Sequence, residues 1–287
     1  MIRLDAAHPK GIVWLASYPK SGNTWLRAFL YSLLLEVTGT RSDDLDLDAV
    51  AYFGESESAV PHYRRHLSES AVADRAAVAA VRPKVQAEIA ANSPGLVMIK
   101  THNALIDYLG SPLIDRSVSA GAVYVVRNPL DIAISLAHFR AVSIDDAIDE
   151  MGRSGRASET NSEDVYYVAG SWSEHVRSWT AQPSSAILPV RYEDLLANPA
   201  ETFAGIATHL RIPARAEQIG HAVELTRFDR MQKAEHAHGF LEKPPNVPRF
   251  FREGRAGQWE RELSAAQVER IVATHGSEMA RFGYLPA

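Results

Sequence analysis

Seven consecutive residues, Tyr18-Pro19-Lys20-Ser21-Gly22-Asn23-Thr24, join a short apolar run to a long one and carry what a phosphate or sulfate group needs. A loop between a strand and a helix points successive backbone N–H groups, aided by the positive end of the helix, at one place. Gly22 permits close approach and Lys20 adds a cation. The nucleotide-triphosphatase pattern GxxxxGK[ST] is absent: with Gly22-Asn23-Thr24 laid on its end, Asn23 stands at the lysine. A plain strand-to-helix turn with a surface lysine would show the same spacing.

Two further groups have the right chemistry. Arg127 closes the apolar run Val125-Val126, and Ser135 follows eight residues on in a helical pattern, so the two could clamp one phosphate. Lys100-Thr101-His102 closes another apolar run and supplies a cation beside a base able to take a proton from a hydroxyl near neutral pH. Each also has an ordinary reading, a structural ion pair for Arg127 and a structural histidine for His102. His62 with His66, and His236 with His238, have metal-pair spacings but no third ligand, so no metal site is predicted. The acidic run Asp43 to Asp48 reads as a solvated loop, and Trp172 with Trp179 as one buried helix face.

These residues must be held by strands and helices in alternation. Ile12 to Ser17 reads as a strand and Trp25 to Val37 as a helix. Leu96 to Thr101 and Ala122 to Arg127 read as buried strands, with a helix from Leu130 to Phe139 entered through Pro129. A fourth strand is predicted at Ala186 to Val190, before a helix from Tyr192 to Ala197. The order implies an α/β fold: a single domain with a mostly parallel central sheet flanked by helices. Its ligands would bind beyond the carboxyl ends of the strands.

Between the first two strands, residues 41–92 read as a substrate-side cap insertion, whose Ala-rich part Ser70 to Ala91 is expected to form two helices divided at Pro83. Gly152 to Glu163, without apolar period, is expected to be a mobile loop. A last helix should start on the N-cap Ser264 and run to about Phe282.

Composition narrows the class. With 46% hydrophobic and 23% charged residues, the 287-residue chain has ample material for one core. A net charge of -5 gives no overall positive field for nucleic acid, so any anion site must be local. The absence of cysteine removes disulfides, thiolate metal sites and cysteine nucleophiles, and suits a reducing cytoplasm. Met1 to Lys10 has no signal-peptide pattern and no apolar stretch approaches 20 residues, so neither export nor stable membrane insertion is expected.

Taken together, the motifs resemble the family of sulfotransferases that use 3'-phosphoadenosine 5'-phosphosulfate (PAPS), a fold of P-loop nucleotide-binding-like architecture. Tyr18 to Trp25 is similar to that family's 5'-phosphosulfate loop, and Tyr124 to Pro129 with Asp131 and Ser135 to its 3'-phosphate motif. Lys100-Thr101-His102 matches the strand bearing the catalytic base, and Phe250 to Gly254 with Gly257 and Trp259 matches the C-terminal phosphate-binding loop. The resemblance runs from Trp14 to Trp259 in the family's order. It implies PAPS as donor, adenosine 3',5'-bisphosphate (PAP) as product, and no metal requirement. It also implies that Ser21, Gly22, Asn23 and Thr24 cradle the 5' end while Lys20 offsets charge on the bridging oxygen. Arg127, Ser135, Arg252 and Gly254 would hold the 3'-phosphate. Trp25 and Phe228 would stack on adenine, with Tyr192 and Thr226 at its edge. His102 would be the general base and Lys100 would steady the sulfuryl group.

Three positions depart from the family pattern. Asn23 replaces a threonine, Glu253 a lysine beside Arg252, and Gln258 an acidic residue. The family's C-terminal dimer motif is not recognisable, so the oligomeric state is not read. The implied acceptor is a hydroxyl on a phenol, sugar, lipid or other natural product. Two other functions compete. A small-molecule kinase would need a magnesium site and a lysine at position 23. A non-enzymatic nucleotide sensor would need neither Lys20 nor His102.

Overall fold

A computed structural model describes residues 10–286, so the signal-peptide reading of Met1 to Lys10 falls almost wholly outside the described residues. β1 (Gly11–Ser17) leads through the Lys20 loop into α1 (Asn23–Thr38), followed by α2 (Leu47–Tyr52), α3 (Val60–Tyr63) and α4 (Arg75–Asn92). β2 (Leu96–Thr101) precedes a small antiparallel hairpin, β3 (Asp107–Tyr108) and β4 (Ser111–Pro112), which alternation did not predict. Then come β5 (Ser119–Val126), α5 (Pro129–Arg140), α6 (Ile144–Gly152), α7 (Trp172–Thr180) and β6 (Ile187–Arg191). The chain closes with α8 (Tyr192–Ala197), α9 (Pro199–His209), α10 (Ala216–Leu225), α11 (Phe228–His238), α12 (Trp259–Glu262) and α13 (Ala265–Arg281).

The main sheet has the order β2-β1-β5-β6 and every pairing in it is parallel. β1 and β5 are central and wholly buried, which is why they read as continuous apolar runs. Side chains leave the strand alternately. Trp14, Ala16, Tyr124 and Val126 pack on one face with α5, α6, α7 and α13; Leu15, Val123 and Val125 pack on the other with α1, α9 and α10. The register pairs Ala16 with Thr101, Ser17 with Val125 and Val126 with Arg191, so all four strands end level. The residues that follow them, Lys20, His102, Arg127 and Tyr192, therefore emerge along one edge.

Local rules fix several boundaries. Asn128 caps α5 on the Leu130 N–H at 3.0 Å with Pro129 in the first turn, and Ser264 begins α13 with a reciprocal capping box, as expected. Pro83 overturns the expected division: it lies inside α4, which is continuous from Arg75 to Asn92. Val78, Ala79, Arg82, Val85 and Gln86 are all buried, and Arg82 is locked to Glu57, so tertiary packing carries the helix through the proline. Residues 152–163 contain a turn in which Ser158 N–H meets the Tyr167 carbonyl at 2.8 Å and Arg156 is buried against Glu150. No described helix is long and apolar enough to cross a membrane.

Candidate active site

Beyond the level strand ends lies a cavity of about 540 Å³. Lys20, Gly22, Asn23, Thr24, Trp25, Lys100, His102, Arg127, Ser135, Tyr192, Phe228, Arg252 and Gly254 line it. Ser21 and Thr226 do not. Ser21 is fully buried, and the Thr226 hydroxyl is spent on the Ala222 carbonyl of α10 at 2.8 Å. Ser158, Glu159 and Asn161 also line the cavity, whereas none of residues 41–92 does. That insertion meets the site from behind: the Glu57 N–H bonds the Lys100 carbonyl, and Ser56 bridges to β2 at the same residue.

The loop after β1 turns sharply through two residues in left-handed conformations. Lys20 has φ 69° and Gly22 φ 105°, which turns the chain so that α1 starts with no side-chain cap on its first N–H groups. A Cβ on Gly22 would lie 2.7 Å from the Tyr192 ring, so glycine is required by space as well as by φ. The Ser21 hydroxyl is buried without a partner. Asn23, by contrast, sends its amide back to the Leu15 carbonyl at 2.8 Å and ties the loop to β1. The side chain at position 23 is thus a strut, with its Oδ1 buried without a partner.

The cations are held close together. Lys20 Nζ lies 3.9 Å from the centre of the Phe139 ring and 4.5 Å from that of Phe250. Burial, reinforced by the like charges of Arg127 and Lys100, lowers its pKa to about 7. Arg127 stacks 4.4 Å from the Tyr192 ring centre and donates to the Lys20 and Arg255 carbonyls, each at 3.1 Å, while its Nε is buried without a partner. Arg252 is engaged by Glu253 at 2.9 Å and by Gln258, so two of the three unusual positions neutralise or bind this arginine. The loop bearing them is anchored by Asp131, which accepts from the Gly257 N–H at 2.8 Å and the Trp259 N–H at 3.1 Å. Gly254 has φ 61°, and its Cβ would fall 2.1 Å from the Phe228 ring.

His102 is committed to one tautomer. Its Nδ1 lies 2.8 Å from the Ser17 carbonyl, which can only accept, so the proton sits on Nδ1 and the lone pair on Nε2. Burial, and then the charge of Lys100, lower its pKa to about 3. The backbone is steadied too, because His175 Nε2 donates to the His102 carbonyl at 3.2 Å while Tyr124 OH donates to His175 Nδ1 at 2.9 Å. Asn103 donates to Glu57, itself buried and accepting from Arg82 NH1 on both carboxylate oxygens, at 2.7 and 2.8 Å. His175, Glu57 and Arg82 carried no spacing signal in the sequence. The paired spacings of His62 and His66 have a plain explanation: His62 reaches Glu55 at 3.5 Å and His66 reaches Glu88 at 2.9 Å.

A glycine-bearing strand-to-helix loop after one strand, an arginine after its neighbour and a histidine after a third meet at one cavity of a mostly parallel α/β fold of phosphate-binding-loop architecture. A family model for the sulfotransferase domain matches residues 10–283, so this chain belongs to that family and is a sulfotransferase. Similar relatives include sulfotransferase 1A1 of Bos taurus, 25% identical over 93% of this chain and 82% of the relative. Flavonol 3-sulfotransferase of Flaveria bidentis is 24% identical over 92% of this chain and 80% of its own. Sulfotransferase 1A1 of Canis lupus familiaris is 29% identical over 68% of this chain and 66% of its own. Among solved structures, retinol dehydratase in complex with androsterone and PAP has the same fold, with a TM-score of 0.65, 19% identity and coverage of 93% of this chain and 80% of that one.

Proposed function

We propose that the chain transfers a sulfuryl group from PAPS to a hydroxyl of a small organic acceptor, with His102 as general base. The observation that carries this reading is the meeting of the Lys20 loop, Arg127 and the unprotonated Nε2 of His102 around one cavity. The residues fit the donor. The uncapped N–H groups of α1 suit its 5' end, and the unpartnered Nε of Arg127 suits a 3'-phosphate. Bound PAPS supplies a sulfur centre open to in-line attack and, in PAP, a leaving group. His102 Nε2 takes the acceptor proton as the oxygen–sulfur bond forms. Lys20 stabilises charge on the bridging oxygen, and Lys100 steadies the sulfuryl group in transfer. Ser158 and Asn161, which line the same cavity, are available to the acceptor. Relatives and neighbours named for flavonol or bound to androsterone support a small organic acceptor without choosing one.

A kinase reading would need a cation at position 23, where the amide is occupied within β1. A sensor would not need a base held in one tautomer. Calorimetry separates these. PAP should bind at least about tenfold more tightly than ADP, and Arg127→Ala should largely erase the difference, as expected for loss of one charge-assisted bond. Equal wild-type affinity for the two nucleotides would refute the assignment.

A further inference from the structure

One carboxylate stands where the proposed donor would be negatively charged. Glu242, on the turn after α11, places Oε1 2.8 Å from Arg27 NH2 and 3.4 Å from Lys100 Nζ. Its Oε2 lies 2.7 Å from Arg27 NH2 and 3.5 Å from Thr24 Oγ1. Donors from the cradle and from the end of β2 thus converge on one oxyanion, and Glu242, Thr24 and Lys100 all line the cavity. Arg27 is one turn into α1, and its NH2 also reaches Thr24 Oγ1 at 3.3 Å.

We propose that Glu242 is an internal stand-in for the transferable oxyanion, and that Arg27 is a further donor-binding residue which exchanges the carboxylate for that oxyanion when PAPS binds. The inference rests on the reading of PAPS as donor. Its physical basis is the immobility of Arg27. The side chain is fully buried, with NH1 on the Val50 carbonyl at 3.1 Å, so it cannot follow Glu242 outward. A buried guanidinium without an anion is strongly unfavourable, so the cation must always be matched. Glu242 keeps 23% of its side chain exposed and can leave into water. A sulfonate offers the same kind of charged acceptor oxygens, but the two anions would repel each other on the same donors. A pair that merely fastened the turn to α1 would have no use for Lys100.

PAP lacks the transferable group and leaves Glu242 in place, so the ratio of PAPS to PAP affinity reports the exchange. Both are titrated calorimetrically without acceptor. Glu242→Gln keeps the shape, removes the competing charge, and should tighten PAPS roughly tenfold while changing PAP by less than about threefold. Glu242→Asp retains a charge and the fold, and should shift the ratio the same way by less. A ratio unchanged from wild type in both variants, or both nucleotides weakened in parallel, overturns the exchange while leaving the donor assignment intact. Failure of wild-type PAP to outbind ADP removes the donor assignment and the exchange together.

Discussion

Lys20 shows how much chemistry one half-buried cation can carry before any ligand arrives. Two aromatic faces favour its ammonium, yet burial and the charges of Arg127 and Lys100 bring its pKa to about 7. At pH 8 the free site therefore holds mostly neutral lysine, and an arriving nucleotide anion restores the charged form. We expect PAP binding at pH 8 to take up close to one proton, and at pH 6 almost none, in titrations repeated in two buffers of different ionisation heat. Lys20→Ala should abolish the uptake; uptake that persists would place the titrating group elsewhere. That Lys20, His102 and Arg127 would meet was legible in the sequence because each follows an apolar strand of one parallel sheet. Asn23 shows the limit: its identity and position were plain, but only the fold reveals that its amide faces the Leu15 carbonyl. Thr226 is the same case, a hydroxyl placed by motif and turned onto its own helix.

Elements were legible where one physical signal dominated. β1 and β5 are buried on both faces and announce themselves as apolar runs, while Asn128 and Ser264 mark helix starts by their caps. α4 failed at Pro83 because the force that holds it is long-range: Glu57, from the preceding segment, accepts from Arg82, Ser58, Tyr63 and Asn103 together. Local propensity cannot register a partner 25 positions away. That network makes α4 a brace for the strand end bearing His102, although residues 41–92 stand outside the cavity. Glu57→Ala leaves the Arg82 charge buried and unpaired, and should destabilise the fold by about 3 to 5 kcal/mol in urea unfolding. A loss below about 1 kcal/mol, within the range of an exposed pair, would show that the network is not the brace.

At the scale of the whole molecule, the sheet that gathers the cations also encloses imidazoles held neutral, His175 and His275 buried and His102 half-buried. His102 and His175 have pKa values lowered by burial to about 3, and His275 by burial to about 4. His102 donates to Ser17, His175 links Tyr124 to the His102 backbone, and His275 lies 2.9 Å from Ser173 Oγ between α13 and α7, so the three stitch the sheet to one helical layer. Each folded pKa lies below the unfolded value of 6.5, so between those limits the unfolded chain binds protons that the folded chain refuses. Stability from these groups is therefore fully present above about pH 6.5 and falls as the pH drops towards 4 and 3. At pH 5 each contributes a loss of about 2 kcal/mol relative to neutral pH, before most carboxylates titrate. The melting temperature should decline steadily from pH 7 to pH 5, and His275→Gln, remote from the reacting groups, should flatten that decline while lowering stability at pH 7. An acid profile unchanged by the substitution would mean that His275 is free to protonate in the folded chain.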